Sequence, residues 1–506
     1  MHRRLAVLLV TAAVLLSTVS AQSGSVIRVA TIGEPPSLDA MSTTADLTAT
    51  ITQHIFETLY AFGEAWDIVP LIAAELPQIS DDGTVIDIPL RSGLTFHDGS
   101  ELDSADVVAS LQRWMDLSPR GRAVAESLVS LEAVDAENVR ITLSEPFSPL
   151  LSYLAINTAA AIIIPEELAA TRDPLNQYVG SGPFAFVEWQ PDRYIRLQRF
   201  DGYVPRDEAR NGYGGGRQAM VDEVRFVPVP DASTRLAGLL GGEYDFADNL
   251  NTEAYGQLSA ASNVEADIVN PFAFPIMILN VAEGALTDVS TRRAVQAALD
   301  LEAMLIAGYG DPQFFALEGS YYPQGSQFYT DAGTEYYNNY DPQLAERLLA
   351  ESGYDGAPVR ILTSHQYEFL YRMSVVAAQN LEEAGFTVDL QTVEWATLVD
   401  RRSDPGAWEA YFTFGSFIPE PSAYSFLVGP GWGQWQPEEK VAILDAYNTT
   451  YDPAERVENW SRLQELLYTD VPVVKIGDSY SLTGRSASLN GYLAKPWPAF
   501  WNVEIE

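Results

Sequence analysis

The stretch of residues 90–108 reads LRSGLTFHDGSELDSADVV and combines turn residues with the start of a helix. The pair Asp98-Gly99 is a strong turn signal, so an exposed hairpin end is expected there. Asp103 or Ser104 can cap a helix that follows. In that helix the apolar residues recur at helical spacing: Val107, Val108, Leu111, Trp114 and Met115. The stretch therefore predicts a hairpin that leads directly into an amphipathic helix.

Residues 1–21 have the parts of an export signal. A basic start is followed by an apolar run over residues 5–19 and by the small residues Val19-Ser20-Ala21, which suit cleavage. Because this run is shorter than the roughly 20 residues of a membrane span, a cleaved signal peptide is favoured over a membrane anchor. The mature chain is expected to begin at Gln22.

The chain contains no cysteine. This excludes a disulfide framework and thiolate metal ligands. It also excludes the lipid anchor that bacterial lipoproteins carry on a cysteine next to the cleavage site. An exported protein without that anchor is best retained behind an outer membrane, so we expect a periplasmic location.

The chain is strongly acidic, with 69 Asp and Glu against 30 Lys and Arg and a formal net charge of −39. The acids are scattered along the sequence, which excludes a disordered acidic tail. A uniformly acidic surface argues against nucleic acid or an anionic membrane as a partner. The length of 506 residues and the hydrophobic content of 47% predict a globular protein of more than one domain.

Two strand–helix–strand units stand out along the chain. Their helices are predicted over Ala232–Leu240 and Phe369–Ala384. Further helices are predicted over Thr48–Tyr60 and Thr287–Ile306, where apolar residues share one face. The repeated pattern predicts an α/β protein with mostly parallel strand pairing.

Three motifs carry a resemblance to a known family: residues 90–108, the glycine-rich crossing at residues 180–184 (GSGPF), and the pair Glu420-Pro421. Over essentially its whole mature length the chain resembles the extracytoplasmic solute-binding proteins of peptide, nickel and opine importers, known as family 5. The resemblance implies an α/β fold of the type II periplasmic-binding-protein kind, with two hinged lobes and an inserted third domain (cluster C-like). The implied divisions are the signal peptide at 1–21, lobe I at 22–68 with 178–265 and 475–506, inserted domain II at 69–177, and lobe III at 266–474.

The resemblance also implies a function. Such proteins capture a small solute in the periplasm by closing their lobes and deliver it to the permease of an ABC importer in the inner membrane. We expect a monomer without cofactor, metal site or catalytic residues. Two alternatives stay open from sequence: a secreted glycosidase, since paired carboxylates are plentiful, and a sensory binding protein for a membrane receptor.

Candidate ligand-binding residues follow from the same resemblance. The loop between Asp39 and Asp46 lines the ligand site in the family, and Trp395 and Arg402 match positions that face the ligand. Packing is the competing explanation for Trp395, and surface ion pairing for Arg402. The full set of candidates is Thr43, Thr44, Trp395, Arg402, Phe414, Phe417, Glu420, Tyr424 and Asp478.

One departure from the family bears on the ligand. Peptide-binding members carry an aspartate about three residues before the acid–proline pair, where this chain has Phe417-Ile418-Pro419. A buried ammonium would then need Asp46, Glu420 or Asp478 as its counter-charge. We therefore rank oligosaccharide-like or amino-blocked ligands, including opine-like conjugates, slightly above plain peptides. The aromatic residues available for stacking are Phe412, Phe414, Phe417, Tyr424, Trp432 and Trp435.

Overall fold

The structure of the protein is a computed structural model that describes residues 24–506 except 430 and 432. The predicted signal peptide and Trp432 lie outside the described residues. Within the described part of the chain, no helix is both long and apolar enough to cross a membrane.

The strands follow in chain order: β1 (Val26–Thr31), β2 (Tyr60–Phe62), β3 (Ile68–Pro70), β4 (Gln78–Ile79), β5 (Val85–Pro89), β6 (Leu128–Asp135), β7 (Asn138–Leu143), β8 (Phe184–Gln190), β9 (Tyr194–Arg199), β10 (Glu223–Pro228), β11 (Phe246–Leu250), β12 (Val264–Leu279), β13 (Phe315–Ala316), β14 (Val359–Thr363), β15 (Val388–Thr392), β16 (Ala410–Ser416), β17 (Val473–Lys475), β18 (Asp478–Ser486), β19 (Leu489–Asn490) and β20 (Glu504–Ile505).

The α-helices are α1 (Asp46–Thr52), α2 (Ser104–Leu117), α3 (Pro119–Ala125), α4 (Leu150–Tyr153), α5 (Glu166–Ala169), α6 (Ala232–Leu240), α7 (Tyr255–Ala260), α8 (Val289–Ala298), α9 (Leu301–Tyr309), α10 (Pro342–Glu351), α11 (Glu368–Glu383), α12 (Trp395–Arg401), α13 (Glu438–Thr449) and α14 (Pro453–Asp470). Together with the strands they confirm the predicted α/β class.

One twelve-stranded sheet organises the molecule. Its order is β15-β14-β16-β12-β18-β11-β1-β10-β9-β8, with β13 beside β18 and β17 beside β12. Parallel pairs occur in the two predicted strand–helix–strand units, where β10 and β11 flank β1 and where β14 pairs with β15 and β16. The expectation of mostly parallel pairing is wrong. The long strands β12 and β18 run antiparallel to each other and to their other neighbours, and β8, β9 and β10 form an antiparallel meander.

The stretch at residues 90–108 folds as predicted. Thr95 and Glu101 form an antiparallel bridge across the turn, and Gly99 has a φ of +89°, a conformation that favours glycine. Asp103 caps α2 by accepting from the amides of Ala105 and Asp106. Asp106 completes a capping box by accepting from the Asp103 amide. Nearby, β4, β5, β7 and β6 form a separate four-stranded sheet.

Helix α1 is shorter than predicted. It ends at Thr52, whereas the expected helix extended over Thr48–Tyr60. The carbonyls of His54 and Ile55 instead accept hydrogen bonds from the start of β8 and from the glycine-rich crossing before it. The backbone carbonyls beyond α1 therefore form their hydrogen bonds with a distant segment rather than within a continuing helix.

The helix predicted over Thr287–Ile306 is interrupted. Leu299 is extended, and Asp300 caps a second helix by accepting from the Ala303 amide at 3.0 Å. The side chain of Asp300 competes with the backbone of a continuous helix, so α8 and α9 form separately.

A buried ion pair joins the loop after β1 to α2. Arg113 donates to both carboxylate oxygens of Asp39, at 3.1 and 2.5 Å, and both side chains are 0% exposed. The amide of Leu175 donates to the same carboxylate at 3.2 Å. Because the charges satisfy each other inside the protein, this pair fixes α2 against the loop after β1.

His54 is a structural residue. It is fully buried, its Nε2 accepts from the Phe500 amide at 3.0 Å, and its ring stacks on Phe500. Burial lowers the pKa of His54 to about 3, so the imidazole stays neutral.

Candidate ligand-binding cleft

Three distant segments of the chain meet at the carboxylate of Asp46. This residue begins α1. Its Oδ2 accepts from the hydroxyl of Ser416 at 3.0 Å, and its Oδ1 accepts from Nε1 of Trp497 at 2.9 Å. Ser416 ends β16, and Trp497 belongs to the C-terminal tail. The Asp46 carboxylate therefore joins segments that the predicted divisions assign to both lobes: α1 and the tail in lobe I, and β16 in lobe III.

The Asp46 side chain is half-buried and has only neutral donors. Burial raises the pKa of Asp46, and the hydrogen bonds from Trp497 and Ser416 partly oppose that rise. Among the described residues, no basic side chain contacts this carboxylate to favour its charged form.

Asp248 is a second acid in this region. It lies in β11 where the pairing with β18 shifts register between Ala247 and Leu250. Burial raises the pKa of Asp248 to about 6, Arg235 opposes the rise, and the charge of Asp46 adds to it. Asp248 thus lies at a β-bulge, outside the regular ladder of β11 and β18.

Aromatic rings form a wall beside these acids. Tyr367 contacts Trp395 with ring centroids 4.7 Å apart and Phe414 with centroids 5.3 Å apart. The Trp395 amide donates to Gln366 Oε1 at 2.6 Å, which holds the start of α12 in place. Trp395 and Phe414 are both half-buried, so their rings leave part of their area for a ligand.

A small cleft lies at the end of β16. It is lined by Phe272 and its neighbours in β12, by Asp478 and the start of β18, and by Tyr321 and Phe417. Across it, the ring of Trp66 approaches Phe417 edge-on, with centroids 4.9 Å apart. The described residues include no group of three or more His, Cys, Asp and Glu side chains that could hold a metal ion.

The sequence of residues 67–435 matches the family described as bacterial extracellular solute-binding proteins, family 5 Middle. The chain belongs to this family. It is 27% identical over 486 residues to a probable peptide ABC transporter periplasmic-binding protein of Sinorhizobium fredii, covering 92% of this chain and 91% of that protein. It is also 25% identical over 512 residues to the glutathione-binding protein GsiB of Pectobacterium atrosepticum, with 96% and 95% covered.

Solved structures agree with this family-5 assignment. The periplasmic binding protein AgaA of A. tumefaciens R10, in complex with agropinic acid, superposes with a TM-score of 0.81 at 25% identity, covering 95% of this chain and 99% of that one. DppA of Helicobacter pylori, in complex with the peptide STSA, shares the fold at a TM-score of 0.82 and 23% identity, with 96% and 98% covered. The periplasmic-binding-protein fold expected from the sequence is confirmed.

Several candidate residues of this family-5 protein lie around the cleft. Phe417 and Asp478 line it, and Trp395 and Phe414 lie in the aromatic wall. Asp478 pairs with Lys475, whose Nζ is 2.6 Å from Oδ1. Burial raises the pKa of Asp478, and the Lys475 charge opposes that rise.

Thr43, Thr44 and Arg402 are not among the residues that line the cleft or form the aromatic wall. The Thr43 hydroxyl accepts from the Ala45 amide at 3.1 Å just before α1, and Thr44 is exposed. Arg402 follows α12 near Tyr411. Burial raises the pKa of the Tyr411 phenol, and the Arg402 charge opposes that rise.

Glu420 and Tyr424 have their polar atoms engaged within the protein. Glu420 is buried, pairs with Arg456 at 2.8 Å and accepts from the Tyr447 hydroxyl at 2.6 Å. The Tyr424 hydroxyl donates to the Ile418 carbonyl at 3.2 Å. Both side chains hold the segment after β16 in shape.

Sequence reasoning gave no role to Asp248, Trp66, Tyr367 or Trp497. The bulge that presents Asp248 is a tertiary feature with no sequence signal of its own. Trp497 could be noticed only as one of several tryptophans near the C-terminus, because its partner Asp46 lies 451 positions earlier.

Proposed function

We propose that this protein captures a small solute in the periplasm, closes two lobes around it, and delivers it to the permease of an ABC importer in the inner membrane. Its activity is binding rather than catalysis, and it acts as a monomer without a cofactor. Family-5 membership supports this proposal, as does the role named for the Sinorhizobium fredii relative. The observation that carries it is the junction at Asp46, where segments from both sides of the groove converge.

The proposed lobes follow the predicted divisions. Residues 22–68, 178–265 and 475–506 form one lobe, residues 266–474 form the other, and residues 69–177 form the inserted domain. The long strand β12 passes from one lobe to the other and pairs with β18. Its register against β18 shifts between Val269 and Ala273, which supports a hinge at this point.

Closure is favoured in this account because a ligand held on one lobe gains contacts from the other. In the described structure Ser416 and Phe417 already approach Asp46 and Trp66 across the groove. This arrangement supports assigning the structure to a closed form.

The ligand class is proposed from the relatives and the cleft together. The curated relatives are named for peptides and glutathione, and AgaA is described with agropinic acid. A peptide-like or opine-like solute fits a cleft that combines an aromatic wall with acidic groups.

Native mass spectrometry and X-ray scattering of freshly purified protein test the function. We expect a bound small molecule that leaves on denaturation, and a larger radius of gyration after refolding without it. A protein that carries no solute and does not change its radius of gyration with any solute offered would contradict the proposal.

The proposed export is tested separately. The protein recovered from a periplasmic extract should begin at Gln22 and carry no lipid. Exported protein that still begins at Met1 would contradict cleavage.

A further inference from the structure

Three acids named from the sequence could neutralise a positive charge on a ligand, and two of them already have a cation of their own. Glu420 is 1% exposed and pairs with Arg456. Asp478 pairs with Lys475. A carboxylate with a fixed cation gains little from a second one, so neither is a ready counter-charge.

Asp46 is different. Its hydrogen bonds come from the Ser416 hydroxyl and the Trp497 indole, both neutral. Among the described residues, no lysine, arginine or histidine forms an ion pair with it. Ser416 lies in the segment of residues 413–419 that lacks an acid of its own. The hydrogen bond from Ser416 thus holds the carboxylate of Asp46, which is about 370 positions away in the chain, next to that segment.

Asp248 also lacks an ion pair within the described chain. Arg235 lies nearby, but its guanidinium donates to the backbone carbonyls of Val229, Asp248 and Asn249. The carboxylate therefore has an opposite charge nearby without a direct partner.

Two hydroxyls near Asp248 have no hydrogen-bond partner although they are buried. Thr483 is 2% exposed and lies on β18 opposite the bulge, between the residues that pair with Ala247 and Leu250. Tyr492 is 8% exposed, and its ring contacts that of Phe246, two residues before Asp248 in β11, with centroids 5.1 Å apart. Buried polar groups are nearly always satisfied, so these two oxygens can still form a hydrogen bond with a polar group of a ligand.

We propose that Asp46 and Asp248, with the hydroxyls of Thr483 and Tyr492, form a subsite for an ammonium or guanidinium group of the transported solute. This inference rests on the proposed function and narrows its substrate class to small solutes that carry a positive charge. An unblocked peptide or a conjugate of a basic amino acid fits, and a neutral oligosaccharide does not. Amino-blocked and sugar ligands were ranked first because residues 413–419 contain no acid to bind an ammonium group. In this proposal Asp46 and Asp248 bind it instead, so that reason no longer applies.

A pool of matched synthetic compounds tests the subsite. It contains arginine-bearing tripeptides and N-carboxyalkyl amino acids. One kind of pair differs only in a free or an N-acetylated amine, and the other differs only in arginine or citrulline, so the two members of every pair differ by one positive charge. Citrulline keeps the shape of arginine without its charge. Ultrafiltration and mass spectrometry identify which members the full chain retains, and calorimetry then compares the two members of each retained pair.

The variants separate charge from shape. Asp46→Asn removes the charge and keeps an oxygen that can accept from Trp497, whereas Ser416→Ala keeps the charge and removes one hydrogen bond. We expect wild type to prefer the cationic member of a pair by about 10- to 100-fold, the range of a charge-assisted hydrogen bond. Asp46→Asn should abolish that preference, and Ser416→Ala should keep it. Asp248→Asn should reduce it and serves as the test if Asp46→Asn does not fold.

The outcomes distinguish a failure of the cationic subsite from a failure of the proposed function. Retention without regard to charge, or an equal loss for both members of a pair in Asp46→Asn, would overturn the cationic subsite and leave solute binding intact. Retention of no compound by folded wild type would contradict the proposed function and the subsite with it.

Discussion

Asp39 and Asp46 lie seven positions apart, the first in the loop after β1 and the second at the start of α1, and they have opposite surroundings. Asp39 is fully buried and receives two hydrogen bonds from Arg113, together with one from the Leu175 amide. Asp46 is half-buried and receives hydrogen bonds only from the neutral side chains of Ser416 and Trp497.

This difference in partners distinguishes a carboxylate that stabilises the fold from a carboxylate that is available to bind a ligand. A buried carboxylate with its own arginine is neutralised in every state of the protein, so it holds two elements together. A carboxylate that keeps its charge at a groove between two parts of the molecule can gain from a cation that arrives there. The same residue type thus serves the fold in one place and, by our proposal, the ligand in the other.

Removing the cation of the structural pair should have the largest effect. Arg113→Ala leaves the Asp39 charge buried without a partner, so the free energy of unfolding should fall by about 3–5 kcal/mol. Urea unfolding measures this loss. Arg140→Ala is the matched control, because its pair with Asp87 is exposed and should cost less than about 1 kcal/mol. If both variants lose the same free energy of unfolding, the buried pair does not stabilise the fold more than the exposed pair does, which would contradict the structural role given to Asp39.

Removing an unpaired acid should instead stabilise the protein, and only at higher pH. The pKa of Asp248 is raised from 3.8 to about 6, so the folded chain binds this proton more tightly than the unfolded chain. The group therefore favours folding below pH 3.8, and that contribution is lost as the pH rises through 6.

Asp248→Asn should then raise the free energy of unfolding by about 1–2 kcal/mol at pH near 7.5 and change it little at pH near 3.5. Urea unfolding of both proteins at the two pH values measures the difference. A gain of the same size at both would show that the charge of Asp248 is not the cause.

The aromatic wall should matter for binding rather than for folding. Trp395→Ala should weaken the binding of a retained solute by about 1–2 kcal/mol, because its half-buried ring loses contact with the solute. Calorimetry measures the affinity, and thermal unfolding should change little. Trp189→Ala is the matched control, since this half-buried tryptophan lies in β8 at the opposite edge of the large sheet. A Trp395 variant that unfolds while wild type is stable would assign this residue to packing.

The contact across the groove should have the smallest effect. Ser416→Ala removes one hydrogen bond to Asp46 and should weaken solute binding by about 0.5–1.5 kcal/mol through a less favourable closed form. Titration by calorimetry checks this, with thermal unfolding expected to stay as in wild type. Tighter binding by the variant would mean that this contact opposes closure.

Local features of the fold could be predicted from the sequence. The cap at Asp103 appears where the sequence predicts it, and the caps at Asp341 and Asp452 are likewise formed by residues within a few positions of each helix start. Helix α6 has the predicted bounds, Ala232–Leu240. In these cases the local chemistry alone selects the structure.

Features that depend on distant segments could not be predicted in the same way. Helix α1 stops early because the backbone at His54 and Ile55 pairs with a segment about 130 residues later. The direction of β12 and β18 in the sheet follows from tertiary packing, which local hydrophobic patterns do not encode. The Asp46 junction depends on side chains 370 and 451 positions away, so no spacing in the sequence could reveal it.

The central claim is that the lobes close on a cationic solute held by Asp46, and a distance measured in solution tests it most directly. Because the chain has no cysteine, spin labels can be placed on Asp207→Cys and Glu382→Cys, two exposed positions in the two proposed lobes. Electron spin resonance then gives the distance between them, with and without a retained cationic tripeptide. The account predicts that the tripeptide shortens this distance in the wild-type background, and that Asp46→Asn loses the shortening at the same tripeptide concentration. An unchanged distance in the wild-type background, or an equal shortening by the N-acetylated tripeptide and in Asp46→Asn, would contradict it.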